Sequence, residues 1–126
     1  MKLDTLLEEI ESLNFTIRLS ILSGFNSVLA TLERDETIKQ FIAELALSSE
    51  NMHQVFRRIL ELLSQNPQPE YAHPLDENIT GLLYALQKVD AQLAQEAAEK
   101  VIETPNLFWA RRLAKHILET PVADPK

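Results

Sequence analysis

The chain has 126 residues, enough for one domain with a sizeable core, and its 45% of hydrophobic residues excludes a disordered chain. Only two glycines occur, which disfavours hairpin-rich folds and phosphate loops, because both depend on glycine at positive φ. The net charge of −7 argues against nucleic acid as a partner, and the lack of cysteine removes disulfides and thiolate chemistry. With no secretory signal visible at the N-terminus, we expect a cytoplasmic protein.

The first helical pattern covers residues 3–33, where apolar residues recur at spacings of three and four. Gly24 lies inside this run and leaves two alternatives. The helix breaks at Ser23–Asn26, with Asn26 or Ser27 as the new N-cap, or one helix continues and Gly24 allows a close helix crossing. We favour the break.

The most apolar stretch, Phe15–Leu32, is too short to cross a membrane. Its uncharged part, Leu19–Leu32, has 14 residues, whereas a membrane-spanning helix needs about 20. We therefore expect a buried helix and no membrane partner.

Two further helices are predicted from their start signals. Asp35 can cap a helix over residues 35–47, and Ser48-Ser49-Glu50-Asn51 starts another that runs to about Gln65. Their apolar residues recur on one face and are expected in the core: Ile38, Phe41, Ile42 and Leu45 in the first, and Met52, Val55, Phe56, Ile59, Leu60 and Leu63 in the second.

A proline-rich linker is predicted over residues 67–74, because proline disfavours helical geometry in the residue before it. It separates the N-terminal helices, residues 1–66, from a C-terminal set within the same single domain. The expected helices of that set cover about 75–88, 91–103 and 106–119, and residues 121–126 form a flexible tail.

A sixteen-residue period runs through residues 75–120. Ala98–Pro105 returns as Ala114–Pro121, and the apolar positions of the second helix meet apolar positions of the third. Such a period is typical of stacked helical units, each unable to bury its apolar face alone. The layout resembles HEAT and armadillo-type helical repeats in architecture. We predict an all-α fold of six or seven helices, either a compact bundle or a short right-handed α-α superhelix.

The first helix of this set keeps the period imperfectly. Glu77 and Asn78 fall at positions that are apolar in the other two helices, whereas Gly81 is expected to let a neighbouring backbone approach closely. Thr104-Pro105 suits a capping residue followed by proline at the first helical position, and so predicts the start of the last helix.

The sequence predicts no catalytic residue, no metal ligand and no cofactor. Two Glu-x-x-His pairs, Glu50/His53 and Glu70/His73, have the spacing found in di-iron bundles. The second pair lies between prolines, where a helix is not expected, and bridging glutamates are lacking at apolar positions. No protease, hydrolase or phosphate-loop motif occurs.

The last helix is the only basic segment, since residues 105–126 carry +2 while 1–47 carry −4 and 67–104 carry −5. Its polar side has opposite charge to that of the preceding helix. This favours a solvated face with Glu96–Arg112 and Glu99–Lys115 attraction, which contributes about 0–1 kcal/mol for each pair.

A second interpretation is a binding patch for an acidic segment of a partner protein. Arginine and aromatic residues are common binding anchors. We predict a partner-binding surface formed by Phe108, Arg111, Arg112 and Lys115, with Tyr71 and His73 from the linker. The leading function is therefore a non-catalytic protein-interaction module, an adaptor or regulatory subunit.

Two alternatives remain open. The heptad-like spacing over residues 3–21 allows a homodimer seam, which would make the chain a self-assembling structural protein. A small helical enzyme or metal protein is the third candidate.

Overall fold

The computed structural model describes residues 2–12, 24–65 and 72–119, and these form seven helices without a strand. The all-α prediction is confirmed, with helices packed together in one compact arrangement. The helices are α1 Lys2–Ile10, α2 Phe25–Arg34, α3 Glu36–Leu45, α4 Ser49–Leu63, α5 Ala72–Val89, α6 Ala91–Glu103 and α7 Trp109–Glu119.

Helix α5 is the centre of the fold. Every residue from Asp76 to Leu86 is buried, and α1, α3, α4, α6 and α7 all contact this helix. A helix buried on all sides has no solvated face, so its polar residues depend on partners inside the protein. The surrounding helices are amphipathic and turn their apolar faces inward.

The predicted start signals of α3 and α4 are confirmed. The Asp35 carboxylate accepts a hydrogen bond from the Ile38 N–H at 3.0 Å, and the Ser48 hydroxyl accepts one from the Asn51 N–H at 3.1 Å. These side chains satisfy N–H groups that have no partner within the helix. The core residues of the two helices are Ile38, Phe41, Leu45, Val55, Ile59, Leu62 and Leu63, with Ile42, Met52, Phe56 and Leu60 packed against them.

A helix begins in the predicted interval Ser23–Asn26, but not at the predicted cap. Phe25 is its first residue, and Gly24 occupies the N-cap position with extended backbone, in place of Asn26 or Ser27. The close-crossing alternative is wrong, because a Cβ on Gly24 would meet no described atom within 4 Å.

Helix α5 begins at Ala72, three residues before the predicted start at Leu75. His73 and Pro74 therefore belong to its first turn, where proline is tolerated because the first N–H groups have no helical partner. The remainder of the predicted linker, residues 67–71, and the predicted tail, residues 121–126, lie outside the described residues.

Helices α6 and α7 pack directly against each other and against α5. Ala98 and Ala114, one period apart, are both fully buried. The shared apolar interior predicted from the period is therefore present. The period thus describes the packing of these helices.

The prediction for Thr104-Pro105 is wrong. Thr104 is the C-cap of α6: its N–H donates to the Val101 carbonyl at 3.0 Å and its hydroxyl donates to the Lys100 carbonyl at 2.9 Å. The chain then turns through Asn106 at φ 68°, a conformation that asparagine tolerates, and α7 begins only at Trp109. Thr-Pro therefore marks the end of one helix, because proline cannot continue it.

Candidate protein-interaction surface

The first turn of α7 is capped from another helix. The buried Asp76 carboxylate of α5 accepts hydrogen bonds from the N–H groups of Phe108, Trp109 and Ala110, each at 2.9 Å. Asp76 lies more than thirty residues earlier in the chain, so one side chain joins two distant segments. Three charge-assisted bonds at the positive end of the helix dipole fix the position of α7.

This cap presents two aromatic residues at the surface. Phe108 is 54% exposed, whereas Trp109 is 8% exposed and packs into the core. Their rings meet edge to face with centroids 4.6 Å apart. Edge-to-face contact is a favourable geometry for aromatic pairs, so the exposed ring is held in place by the buried one.

Arg112 extends over the aromatic residues. Its guanidinium carbon lies 5.6 Å from the Phe108 ring centroid, 5.8 Å from that of Trp109 and 5.7 Å from that of Phe25 on α2. Rings at these distances attract a cation and restrict its motion. We call the surface formed by these four residues with Lys115 and His116 the basic aromatic face.

Lys115 and His116 continue this face along α7. The His116 ring meets the Phe25 ring edge-on, with centroids 5.9 Å apart. These rings border a surface cavity of about 430 Å³, which is lined by Phe25, Arg112, Lys115, His116 and Glu119. We call it the Arg112 cavity. It combines two permanent cations, one carboxylate and an aromatic wall.

Arg111, predicted as a partner-binding residue, has a contact within the fold. Its terminal NH2 donates to the Thr104 carbonyl at 2.8 Å, while its buried Nε has no hydrogen-bond partner among the described residues. The side chain is half-buried. Arg111 thus joins the end of α6 to α7 and contributes less than Arg112 to the exposed surface.

The ion pairs expected between α6 and α7 do not form. Neither Glu96–Arg112 nor Glu99–Lys115 is among the salt bridges of the described residues. Arg112 lies over aromatic rings instead. The positive charge on this face is therefore not neutralised by the neighbouring helix.

The linker residues of the prediction cannot be placed beside this face. Tyr71 lies outside the described residues, and of His73 the structure describes the backbone, in the first turn of α5, but not the side chain. Phe25 was not predicted as part of the surface. Only the packing of α2 beside α7 brings its ring to Arg112.

Helix α5 contains a second buried carboxylate, Glu77, at a position that departs from the sixteen-residue period. Glu77 is fully buried, and neither carboxylate oxygen has a hydrogen-bond partner among the described residues. Burial, with a smaller contribution from the adjacent Asp76, raises the pKa of Glu77 from 4.5 to about 7. The pattern marks Glu77 and Asn78 as irregular, but it does not show that both are buried.

Glu50 and His53 do not converge on a common point. Glu50 pairs with Arg57 at 3.1 Å, and the His53 ring nitrogen Nδ1 bonds the Ser49 carbonyl of its own helix at 2.8 Å. Among the described residues no group of three histidine, aspartate or glutamate side chains could hold a metal ion. In the same part of the chain, every helix is too short or too polar to span a bilayer.

Comparisons with known protein families, with curated proteins and with solved structures give no match to this chain.

Proposed function

We propose that the protein is a non-catalytic interaction module, an adaptor or regulatory subunit, whose basic aromatic face binds an acidic segment of a partner protein. The observation that carries this proposal is Arg112, an exposed guanidinium held over three rings with no carboxylate partner among the described residues. Its mechanism is equilibrium binding on a pre-formed surface.

The chemistry of the face favours an acidic occupant. Arg112 is exposed and forms no salt bridge among the described residues, so its guanidinium is available to a carboxylate, and Lys115 lines the same cavity. The surrounding chain is acidic, with a net charge of −7, so the face is an exception to the average surface. An acidic peptide is therefore attracted to this side of the molecule.

Hydrophobic contact adds to the electrostatic attraction. Phe108 is one of three large apolar side chains that are exposed among the described residues, with Leu47 and Leu118. Of these three, Phe108 is in contact with a cation and a second ring. Aromatic and arginine side chains together are typical of the residues that contribute most to protein interfaces.

The packed helices suit a scaffold for binding. The resemblance of α5–α7 to HEAT and armadillo-type repeats is part of this proposal, as is a cytoplasmic location.

A self-assembly function has less support. Leu3, Leu6 and Ile10 on α1, at the start of the proposed homodimer seam, are buried inside this chain, and residues 13–21 of the seam lie outside the described residues. They pack against the chain's own helices, and Leu7 is partly buried beside them, so this part of α1 is engaged within one chain.

The test is affinity capture of partner proteins from native cells, followed by mass spectrometry. The variant Arg112→Glu/Lys115→Glu reverses both permanent cations of the Arg112 cavity. The control Lys39→Glu/Arg57→Glu makes the same two changes of residue type on α3 and α4, where both side chains are more than half exposed.

We expect the control to capture the same partner as the original chain and the Arg112→Glu/Lys115→Glu variant to lose it. Circular dichroism of both variants establishes that they fold. Equal capture by all three proteins would remove the basic aromatic face from the function.

A further inference from the structure

A second surface cavity adjoins the Arg112 cavity, with His116 in the wall of both. It has a volume of about 330 Å³ and lies where α2, α5 and α7 meet. Its polar lining residues are Asn26, Glu33, Tyr84, Gln87, Lys88 and His116. We call it the Tyr84 cavity. The two cavities are thus neighbours on this surface, with His116 as their shared wall.

The two cavities repeat the same chemistry. In the Arg112 cavity a guanidinium lies 5.7 Å from the centroid of the Phe25 ring, and in the Tyr84 cavity the Lys88 ammonium lies 5.1 Å from that of Tyr84. Each cavity also has one carboxylate, Glu119 in the first and Glu33 in the second. Both therefore present a cation on an aromatic support beside a polar wall.

The cations of the two cavities form no salt bridge within the described part of the chain, although each cavity also contains one carboxylate. Lys39, Arg57 and Arg58 each form a salt bridge there, whereas Lys88 and Arg112 form none. Lys115, beside Arg112, is also without one. The two cavities together hold three permanent cations and two carboxylates, and this local positive excess on a chain of net charge −7 matches an acidic ligand longer than one cavity.

We infer that the partner segment is an extended acidic peptide that crosses both cavities over His116. One acidic side chain binds Arg112 and Lys115, and a second binds Lys88. The amide groups of Asn26 and Gln87 in the Tyr84 cavity can bond the peptide backbone, which carries a donor and an acceptor at each residue. This inference rests on the proposed function and adds that the ligand is extended and carries at least two acidic side chains.

The probe is a capped polyglutamate peptide, with capped polylysine of equal length as the charge control. Nuclear magnetic resonance of the full chain follows the side-chain amides of Asn26 and Gln87 for the Tyr84 cavity and the backbone amide of Lys115 for the Arg112 cavity. We expect polyglutamate to shift signals of both cavities at the same peptide concentrations, and polylysine to shift neither.

The variant Lys88→Glu separates the inference from the proposed function. It should weaken polyglutamate binding about tenfold, since it replaces an attraction by a repulsion. Lys100→Glu serves as control and should leave affinity unchanged, because Lys100 is exposed on α6, lines neither cavity and forms no salt bridge with a described residue.

Shifts confined to the Arg112 cavity, or equal affinity of the Lys88→Glu and Lys100→Glu variants, would overturn the two-cavity ligand and leave the proposed function intact. Absence of any shift with polyglutamate would overturn it as well. The proposed function fails separately, if Arg112→Glu/Lys115→Glu still captures the cellular partner.

Discussion

Two regions of the chain reverse the usual placement of polar and apolar side chains. On α5 the polar residues Asp76, Glu77, Asn78 and Thr80 are buried, and at the start of α7 Phe108 is exposed. The two regions are joined, because Asp76 caps the turn that carries Phe108. The buried carboxylate of Asp76 thus holds the exposed Phe108 in place.

The buried region contains a contrast of its own. Asp76 and Glu77 are neighbours with the same chemical group, yet Asp76 accepts three backbone hydrogen bonds while Glu77 accepts none from the described residues. Burial of a carboxylate costs free energy unless its charge is compensated. Asp76 is compensated and stabilises the fold, whereas Glu77 costs stability whenever it is ionised.

The largest expected effect is that of Asp76→Ala, which removes the link between the two regions. Three N–H groups at the start of α7 lose their acceptor, two of them buried, and we expect the free energy of unfolding to fall by about 4 kcal/mol. Urea unfolding followed by circular dichroism measures this loss.

Asp76→Asn is the graded control. Its amide keeps one oxygen for Phe108 and Ala110 but loses the charge and the oxygen that accepts from Trp109. We expect a loss of about 2 kcal/mol. Equal stability of Asp76→Ala and the original chain would mean that the cap does not position α7.

The next effect is a pH dependence that belongs to Glu77. Because its pKa is about 7 in the folded chain and 4.5 unfolded, unfolding releases a proton between these values, and stability falls as pH rises through this window. The loss is absent below about pH 4.5, complete above about pH 7, and amounts to about 3 kcal/mol.

Glu77→Gln should remove this dependence of stability on pH, since the amide does not ionise. The measurement is the free energy of unfolding at several pH values for the original chain, Glu77→Gln and the exposed control Glu96→Gln. The difference between Glu77→Gln and the original chain should grow with pH. Parallel curves for these two proteins would contradict the assigned ionisation.

Local signals predicted much of the fold. Asp35 and Ser48 each accept a hydrogen bond from an N–H three residues later, so donor and acceptor both lie in one short segment of the sequence. The cap of α7 could not be predicted in this way, since its acceptor, Asp76, comes from another helix. The Thr104-Pro105 pattern therefore predicts the start of α7, whereas in the structure it marks the end of α6.

The candidate site was predicted only in part, for a related reason. The charge reversal between α6 and α7 is a property of one segment, and it indicated Arg112 and Lys115. Phe25 joins them through the packing of α2 against α7, which no local pattern contains. Burial of Arg111 against Thr104 is likewise a property of the turn between α6 and α7.

A smaller effect distinguishes Arg111 from Arg112. Arg111→Gln loses the hydrogen bond to Thr104 and should lower the free energy of unfolding by about 1 kcal/mol, with little change in partner capture. Arg112→Gln should show the opposite pattern. Urea unfolding and capture on the same preparations test both. If Arg111→Gln lost the partner at unchanged stability, Arg111 would belong to the binding surface.

The smallest effect on stability is expected at Phe108, the exposed end of the comparison. Because its ring is 54% exposed, Phe108→Ala should lower the free energy of unfolding by only about 0.5 kcal/mol, mostly through the lost contacts with Trp109 and Arg112. Partner binding should nevertheless weaken about tenfold, because the lost ring both contacts the ligand and orients the guanidinium.

Leu47→Ala is the matched control, because Leu47 is 72% exposed, lies between α3 and α4 and lines neither cavity. Capture titrations of the two variants compare an aromatic and an aliphatic exposed residue. If both variants bind the partner equally, exposure of Phe108 is ordinary surface hydrophobicity, and the attraction of the face reduces to its charge. A loss confined to Phe108→Ala requires that the rings and the cations act together.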